Sequence, residues 1–253
     1  MLFSIDGKTA LVTGGGRGIG KMIATGFVEA GAKVYIASRK FDVCQAVAAE
    51  LSEIGECIPL QADLSTEPGC QALGELMKVR EERLDILVNN AGAAWGVPLA
   101  DFDDAAFDRS LALNVKGVFH LTKSLLPLLE AAGTQEEPAR VINLGSVDGL
   151  RVPVLEVYGY SASKAAVHML TRHLAKKLAP RITVNAIAPG PFQTQMMAST
   201  LAAAGDAIAA SLPLKRIGRP DDMAGIAIFL ASRAGSFLTG AVIPVDGGLS
   251  TVS

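Results

Sequence analysis

Short, β-branched apolar runs alternate with longer helical patterns along this chain, and that alternation admits very few architectures. The strand candidates are Thr9–Thr13, Lys33–Ala37, Cys57–Gln61, Ile86–Val88, Arg140–Leu144, Ile182–Ala188 and Ala241–Val245. They read as continuous apolar stretches, the pattern of strands buried on both faces of a parallel sheet. Between them apolar residues recur at helical spacing. One such stripe is Phe107, Leu111, Val118, Thr122, Leu125 and Leu129; a second is Ala166, Leu170, Leu174 and Leu178. The expectation is an α/β fold: a doubly wound parallel sheet of about seven strands, with helices on both faces and right-handed crossovers. Pro244 lies inside the last run and removes a ladder donor, so that strand belongs at an edge. No internal repeat or low-complexity linker divides residues 1–253, which read as a single domain.

Composition narrows the function. Half of the residues are hydrophobic and 19% are charged, which excludes a disordered chain. Lys+Arg at 23 against Asp+Glu at 25 gives a net charge of −2, with no global attraction to nucleic acid or to an anionic membrane. A small-molecule partner is expected. Cys44, Cys57 and Cys70 form no CxxC pair, and His120, His168 and His173 form no HExxH pattern. These read as buried or idle thiols with no metal site. The first strand begins so early that no signal peptide fits before it. The longest apolar run, Met223–Ala231, is about half the ~20 residues that span a bilayer. A soluble, cytoplasmic protein is expected.

The segment Val12-Thr-Gly-Gly-Gly-Arg-Gly-Ile-Gly20 falls where the first strand gives way to a helix. Glycines there let the backbone turn sharply, approach a pyrophosphate and aim helix N-terminal N–H groups at it. The spacing is Gly14-xxx-Gly18-x-Gly20 rather than GxGxxG. Gly15-x4-Gly20-Lys21 also matches most of a P-loop, but the next residue, Met22, has no hydroxyl for Mg²⁺. The second strand ends in Ala37-Ser-Arg39, where NAD sites usually place an acid against the ribose hydroxyls. Ser38, Arg39 and the loop's Arg17 suit a 2′-phosphate instead, so NADP(H) is expected in preference to NAD(H). The competing reading makes both arginines ordinary surface residues.

Tyr160-Ser-Ala-Ser-Lys164 opens the helix of the second stripe, with phenol and ammonium on one face. The nearby cation is expected to pull the tyrosine below its usual value of about 10, making it a general acid or base. Fourteen residues earlier, Asn143-Leu-Gly-Ser146 ends the fifth strand at the carboxyl edge, where such sheets place their ligands. A serine there can donate to a substrate carbonyl. Tyr158 competes for the role, but its i+4 neighbour is Ala162. Ser161-x-x-Lys164 also matches an SxxK pattern, without the SDN or KTG that should accompany it. No GxSxG elbow supports a hydrolase built on Ser146 with His168 or His173. Asn114 interrupts the first stripe, so its carboxamide must bond backbone, water or ligand. Asn89-Asn-Ala-Gly92 follows the fourth strand, where small residues and amides can line a cofactor groove; alone it reads as a turn.

In order and spacing, TGGGRGIG, NNAG, Asn114, Ser146, Tyr160-x-x-x-Lys164 and Pro189-Gly190 resemble the short-chain dehydrogenase/reductase superfamily. The resemblance extends through Gly240 and Val245-Asp-Gly-Gly248, covering essentially the whole chain. It implies a Rossmann-like fold, with Tyr160 as proton donor or acceptor and Lys164 as its pKa modulator and a ribose ligand. Ser146 would polarise the carbonyl, and Asn114 would hold a proton-relay water. Cofactor contacts are implied for Gly14, Arg17, Gly18, Ile19, Gly20, Ser38 and Arg39. Asp63 would meet the adenine, Asn90, Gly92 and Ile187 would line the cofactor, and Leu64 and Ala91 are further implied contacts. Pro189 and Gly190 would also contact the cofactor, and Thr194 would touch the nicotinamide amide. The Pro191-Phe192 pair departs mildly from the pattern at the start of the substrate loop. More loosely, Asn89–Gly96 and Pro138–Asn143 are similar to the bacterial β-ketoacyl reductase branch, which includes the reductase of rhamnolipid synthesis.

The expected function is an NADPH-dependent oxidoreductase interconverting a ketone, with 3-oxoacyl thioesters among the candidates, and a secondary alcohol. A sugar or cyclic-alcohol dehydrogenase of the same family, and a nucleotide-binding regulator without chemistry, stand as alternatives. Residues 193–214 are expected to form a substrate lid whose Met196, Met197 and Leu201 suit an aliphatic ligand. A homotetramer is also expected, since members of that family commonly pair the helices holding the Asn114 and Tyr160 positions and use the last strand for a second axis. Ser161, Ala162, Ala165 and Ala166 permit close helix approach. Leu125, Leu126 and Leu129 are expected to leave apolar surface, and Val242, Ile243 and Val245 to form an apolar edge.

Overall fold

Each of the seven apolar runs forms a strand in the computed structural model, which describes residues 1–252. The first half of the chain runs β1 (Thr9–Thr13), α1 (Gly18–Glu29), β2 (Lys33–Ser38), α2 (Phe41–Leu51), β3 (Cys57–Gln61), α3 (Glu67–Arg80), β4 (Ile86–Asn89) and α4 (Asp104–Leu111). It continues through α5 (Val118–Ala132), β5 (Ala139–Leu144), α6 (Tyr158–Leu178), β6 (Ile182–Pro189), α7 (Ala198–Ser211), α8 (Pro220–Ala231) and β7 (Val242–Val245). All strands pair in parallel, in the order β3-β2-β1-β4-β5-β6-β7.

The strands read as unbroken apolar runs because the sheet buries both faces. Ala10 and Val12 of β1 pack with Ile23 and Phe27 of α1, Val47 of α2 and Met223 of α8. Leu11, between them, points the other way and joins Leu73 of α3 and Leu121 of α5. Pro59 and Pro244 lie in β3 and β7, the two outer strands, where a missing N–H is tolerated. Cys44, Cys57 and Cys70 are buried free thiols of these two cores. Burial pushes Cys57 and Cys70 up to about 11, which keeps both protonated at neutral pH. Among the described residues no helix is long and apolar enough to cross a membrane.

Three sequence expectations are corrected. The stripe from Phe107 to Leu129 is not one helix: α4 and α5 are joined by a π-helical turn at Ala112–Gly117, which carries Asn114 inward. Such wide turns break helical spacing by one residue. On α6 the buried face is Val167, His168, Thr171 and Ala175, while Ala166, Leu170, Leu174 and Leu178 are half-buried flanks. A buried amide network sets that rotation. Asn89 Nδ2 donates to Asn143 Oδ1 at 2.9 Å and to Thr122 Oγ1 at 3.1 Å, and Asn143 Nδ2 donates to Thr171 Oγ1 at 2.9 Å. α6 therefore presents a hydroxyl, not a leucine, to the end of β5. Finally, Leu125 and Leu129 are wholly buried and Leu126 is packed against the same core, because α5 covers α3 as well as the sheet. The apolar surface expected there does not exist.

Leu125→Ala should then behave as a core cavity, costing about 2–5 kcal/mol in chemical denaturation. A change near zero in the denaturation midpoint would restore the surface reading.

Candidate active site

The strand order reverses between β1 and β4, and the crevice outside their carboxyl ends is where such a sheet can hold a ligand. One threonine fastens the two loops there. Thr13 Oγ1 donates to Val88 O (3.2 Å) and accepts from Asn90 N (2.9 Å) and Ala91 N (3.0 Å). Asn90 Nδ2 completes the junction by donating to Thr13 O at 2.7 Å. A Cβ on Gly14 or Gly20 would fall 2.7 or 2.4 Å from that amide nitrogen, and Gly14 also has φ +66°. The glycine loop is thus a wall of bare backbone pressed against Asn90. Arg17, at the N-cap of α1, makes no side-chain cap bond, which leaves first-turn N–H groups of the helix for an anion. These features fit a dinucleotide pyrophosphate.

At the far end, a cavity of about 440 Å³ is lined by Arg39, Gln61, Ala62 and Asp63, with Gly69 and Leu73 of α3 behind. A hydrogen bond from the Ser65 hydroxyl, with help from the Arg39 charge, holds the Asp63 carboxyl below its usual range. Leu64 is buried in the core, and its carbonyl accepts from the Cys70 thiol at 3.6 Å. Arg17 donates to Gln195 Oε1, tying the glycine loop to the segment that precedes α7. Thr194 packs on the loop near Gly18, and Ile19 flanks the core half-buried. Ala91 and Gly92 continue from the junction, and Gly92 lies against both Asn114 and Lys164. Pro189 ends β6, and Gly190 N donates to Val245 O at 3.0 Å. The unusual Phe192 is 2% exposed, anchoring the base of the following loop in the core.

Beyond Gly92 the proton-active groups converge. Lys164 is 5% exposed, and its Nζ donates to Leu144 O at 2.7 Å. Burial pulls it down to about 8. The same ammonium lies 5.5 Å from the centre of the Tyr160 ring. The sequence led us to expect a lowered phenol, and the structure reverses this. Burial pushes Tyr160 up to about 12, a hydrogen bond with Ser146 acts the other way, and the Asp148 charge adds to the rise. Desolvation outweighs the Ser146 hydrogen bond, so the phenol is protonated at neutral pH. Ser146 opens the turn after β5 and accepts from Asp148 N at 3.1 Å.

Asn114 is fastened within the chain. Its Oδ1 accepts from Ala93 N, while Nδ2 donates to Ala93 O and to Ser163 Oγ, each at 2.9 Å. Ser163 Oγ in turn donates to Tyr160 O at 2.6 Å, so the π turn is wired to the start of α6. Sequence reasoning missed Ser163, although its place three residues after Tyr160 was a signal. It also missed His168 in this setting. The imidazole is 4% exposed, and a Cβ on Gly145 would fall 2.2 Å from its Nε2. It fills the space behind the Ser146 turn. Burial first, then the Lys164 charge, pushes His168 down to about 4.

A phenol, a serine hydroxyl and a buried ammonium beside a glycine-walled dinucleotide groove define an oxidoreductase-type site on a doubly wound sheet. The family model for short chain dehydrogenases matches residues 8–204, and the chain belongs to that family. It is 47% identical over 249 residues to the rhamnolipids biosynthesis 3-oxoacyl-[acyl-carrier-protein] reductase of Pseudomonas aeruginosa, covering 97% of each chain. It is 34% identical to the 7alpha-hydroxysteroid dehydrogenase of Escherichia coli, covering 96% of this chain and 94% of that one. Among solved structures, the Pseudomonas aeruginosa RhlG/NADP active-site complex superposes with a TM-score of 0.95 over 98% of both chains, at 47% identity. A gluconate 5-dehydrogenase from Burkholderia cenocepacia, in complex with NADP and tartrate, gives 0.91 at 33% identity, over 100% of this chain and 98% of that one.

His168 supplies a test of the packing behind Ser146. The unfolded chain takes up this proton near pH 6.5 and the folded one only near 4. Its contribution is therefore complete above pH 6.5 and is lost as pH falls towards 4. Between pH 7 and 4.5 the protein should lose about 2–3 kcal/mol that His168→Gln does not lose. Parallel urea melts showing equal losses would place the imidazole in a more solvated setting.

Proposed function

We propose that the protein is an NADPH-dependent carbonyl reductase whose substrate is a 3-oxoacyl thioester. The observation that carries the chemistry is the convergence of Ser146, Tyr160 and Lys164 at the carboxyl edge of the sheet, next to the glycine-walled groove. The substrate class draws on the name of the Pseudomonas aeruginosa relative and on exposed apolar side chains just past Ser146, among them Val152, Val154 and Leu155.

When bound, the nicotinamide supplies hydride to the carbonyl carbon. The carbonyl oxygen lies between Ser146 Oγ and Tyr160 Oη, both of which donate to it. As that oxygen gains negative charge, the proton on Tyr160 Oη moves to it, and a phenol that is protonated at rest is the form this direction needs. The ammonium of Lys164, anchored by Leu144 O, stabilises the phenolate left behind. Asn114 and Ser163 hold the main chain of Tyr160 in place. Gly14, Gly18 and Gly20 form the pyrophosphate wall, with Asn90, Ala91, Gly92, Pro189, Gly190 and Thr194 along the nicotinamide half. Asp63 serves the adenine.

Preference for NADPH over NADH is assigned to Ser38 and Arg39, whose guanidinium lines the 440 Å³ cavity with no carboxylate in place of Ser38. Residues 193–214 act as the lid of a single reductase domain. Two features support this: α7 buries none of its side chains, and it carries Ala204 out of helical geometry. A cytoplasmic homotetramer completes the proposal. The exposed Ala162, Ala165 and Met169 of α6 and the half-buried edge of β7 are its candidate surfaces.

Tyr160→Phe should lower turnover with NADPH and a 3-oxoacyl thioester by ~10²–10⁴, with NADPH affinity within severalfold of wild type. Loss in Tyr158→Phe but not in Tyr160→Phe would reassign the acid. Arg39→Asp should reverse the ratio of kcat/KM for NADPH and NADH by about tenfold or more. An unchanged ratio removes the phosphate site.

A further inference from the structure

A second cavity, of about 500 Å³, lies where the loop after β5, the end of α7 and the C-terminal turn meet, and Arg151, Ser211, Leu249 and Ser250 line it. Arg151 stands five residues past Ser146, and its N donates to Val147 O at 2.9 Å, so its backbone is fixed to the turn that carries the serine. Its guanidinium is steered without being neutralised. Nη1 donates to Leu249 O at 3.3 Å, and no carboxylate among the described residues comes within 4.0 Å to form an ion pair.

Two carboxylates lie near it, and neither closes on the guanidinium. Asp148 sits half-buried on the same turn; burial pushes its carboxyl up and the Arg151 charge acts the other way, but the two are not within 4.0 Å as an ion pair. Asp246 is taken up by Gly248 N, Ser250 N and Ser250 Oγ. The Ser250 and Ser211 hydroxyls already donate, to Asp246 and to Ile208 O. The remaining N–H groups of Arg151 are therefore the donors open to a ligand in this cavity, in the planar fork that suits phosphate or carboxylate. Around this one cation the loop is apolar: Val152 and Val154 are 87% and 95% exposed, and Leu155 is 55% exposed. A lone guanidinium in an exposed apolar rim matches an apolar ligand that carries one oxyanion.

We propose that Arg151 is a specificity-determining contact for an oxyanion that the substrate carries away from its reacting carbonyl. In a thioester substrate this is the phosphate of the carrier arm. The assignment of the phosphate rests on the thioester reading above; the oxyanion site does not. A compact keto acid would offer a carboxylate to the same fork.

Two measurements separate these. With the enzyme saturated in NADP⁺, calorimetric titration should show 4′-phosphopantetheine binding at least about tenfold tighter than pantetheine, a difference lost in Arg151→Gln and partly kept in Arg151→Lys. In turnover, Arg151→Gln should raise KM for a 3-oxoacyl-coenzyme A about tenfold with kcat within twofold. The same acyl group on N-acetylcysteamine, which has no phosphate, should be unaffected. If neither thioester is reduced while a compact keto acid is, with an Arg151-dependent KM, the oxyanion site stands and the thioester reading fails. Equal binding of both pantetheines by wild type, together with equal KM changes for both thioesters, would overturn the proposal. An equal fall of kcat for both thioesters would likewise overturn it, leaving Arg151 as a structural tie to Leu249.

Discussion

The ammonium of Lys164 sits almost wholly out of water with a main-chain carbonyl, Leu144 O, as its hydrogen-bonded partner. Taking a charge out of water is costly, and here the cost appears as the fall of the lysine to about 8. That arrangement needs a carbonyl pointing outward from the carboxyl end of a strand, and β5 supplies it as its last residue. It also needs α6 to begin beside that strand end. The amide network from Asn89 through Asn143 to Thr171, and the wedge of His168 behind Gly145, hold the helix there. The position of Tyr160, one turn before Lys164, then follows from helix geometry.

The groove beside it depends on a different tie. Thr13 and Asn90 lock the ends of β1 and β4 at the point where the sheet changes direction, and the glycine loop has the shape that this leaves. The two ties meet at Gly92, where an added Cβ would reach both Asn114 and Lys164. The glycine loop and the group around Lys164 are therefore parts of one packed edge.

Much of this was legible in the sequence because it is local. A strand buried on both faces writes itself as an unbroken apolar run, and the observed strand bounds match the sequence reading to within a residue. The glycine loop and the Tyr160–Lys164 pair are likewise short-range patterns. What could not be read depends on contacts distant in sequence. The π turn at Asn114 shifts the helical register without changing composition. The buried face of α6 is chosen by Asn143, a residue of β5, and not by its own leucines. Leu125 and Leu129 looked surplus only because α3, their second neighbour, was not yet in place. The phenol of Tyr160 was misjudged for a related reason: spacing reveals the cation, but the degree of burial belongs to the whole edge.

Central to the account is that Tyr160, in the free protein, is a neutral phenol set to donate its proton. The chain has three tyrosines, so a titration of ¹³Cζ-labelled protein by NMR can be assigned with Tyr35→Phe and Tyr158→Phe. Tyr160 should remain protonated well above pH 10, with its change approaching pH 12. A transition at or below about 10, the value of a solvated tyrosine, would mean that Lys164 and Ser146 outweigh burial, and the account would be contradicted.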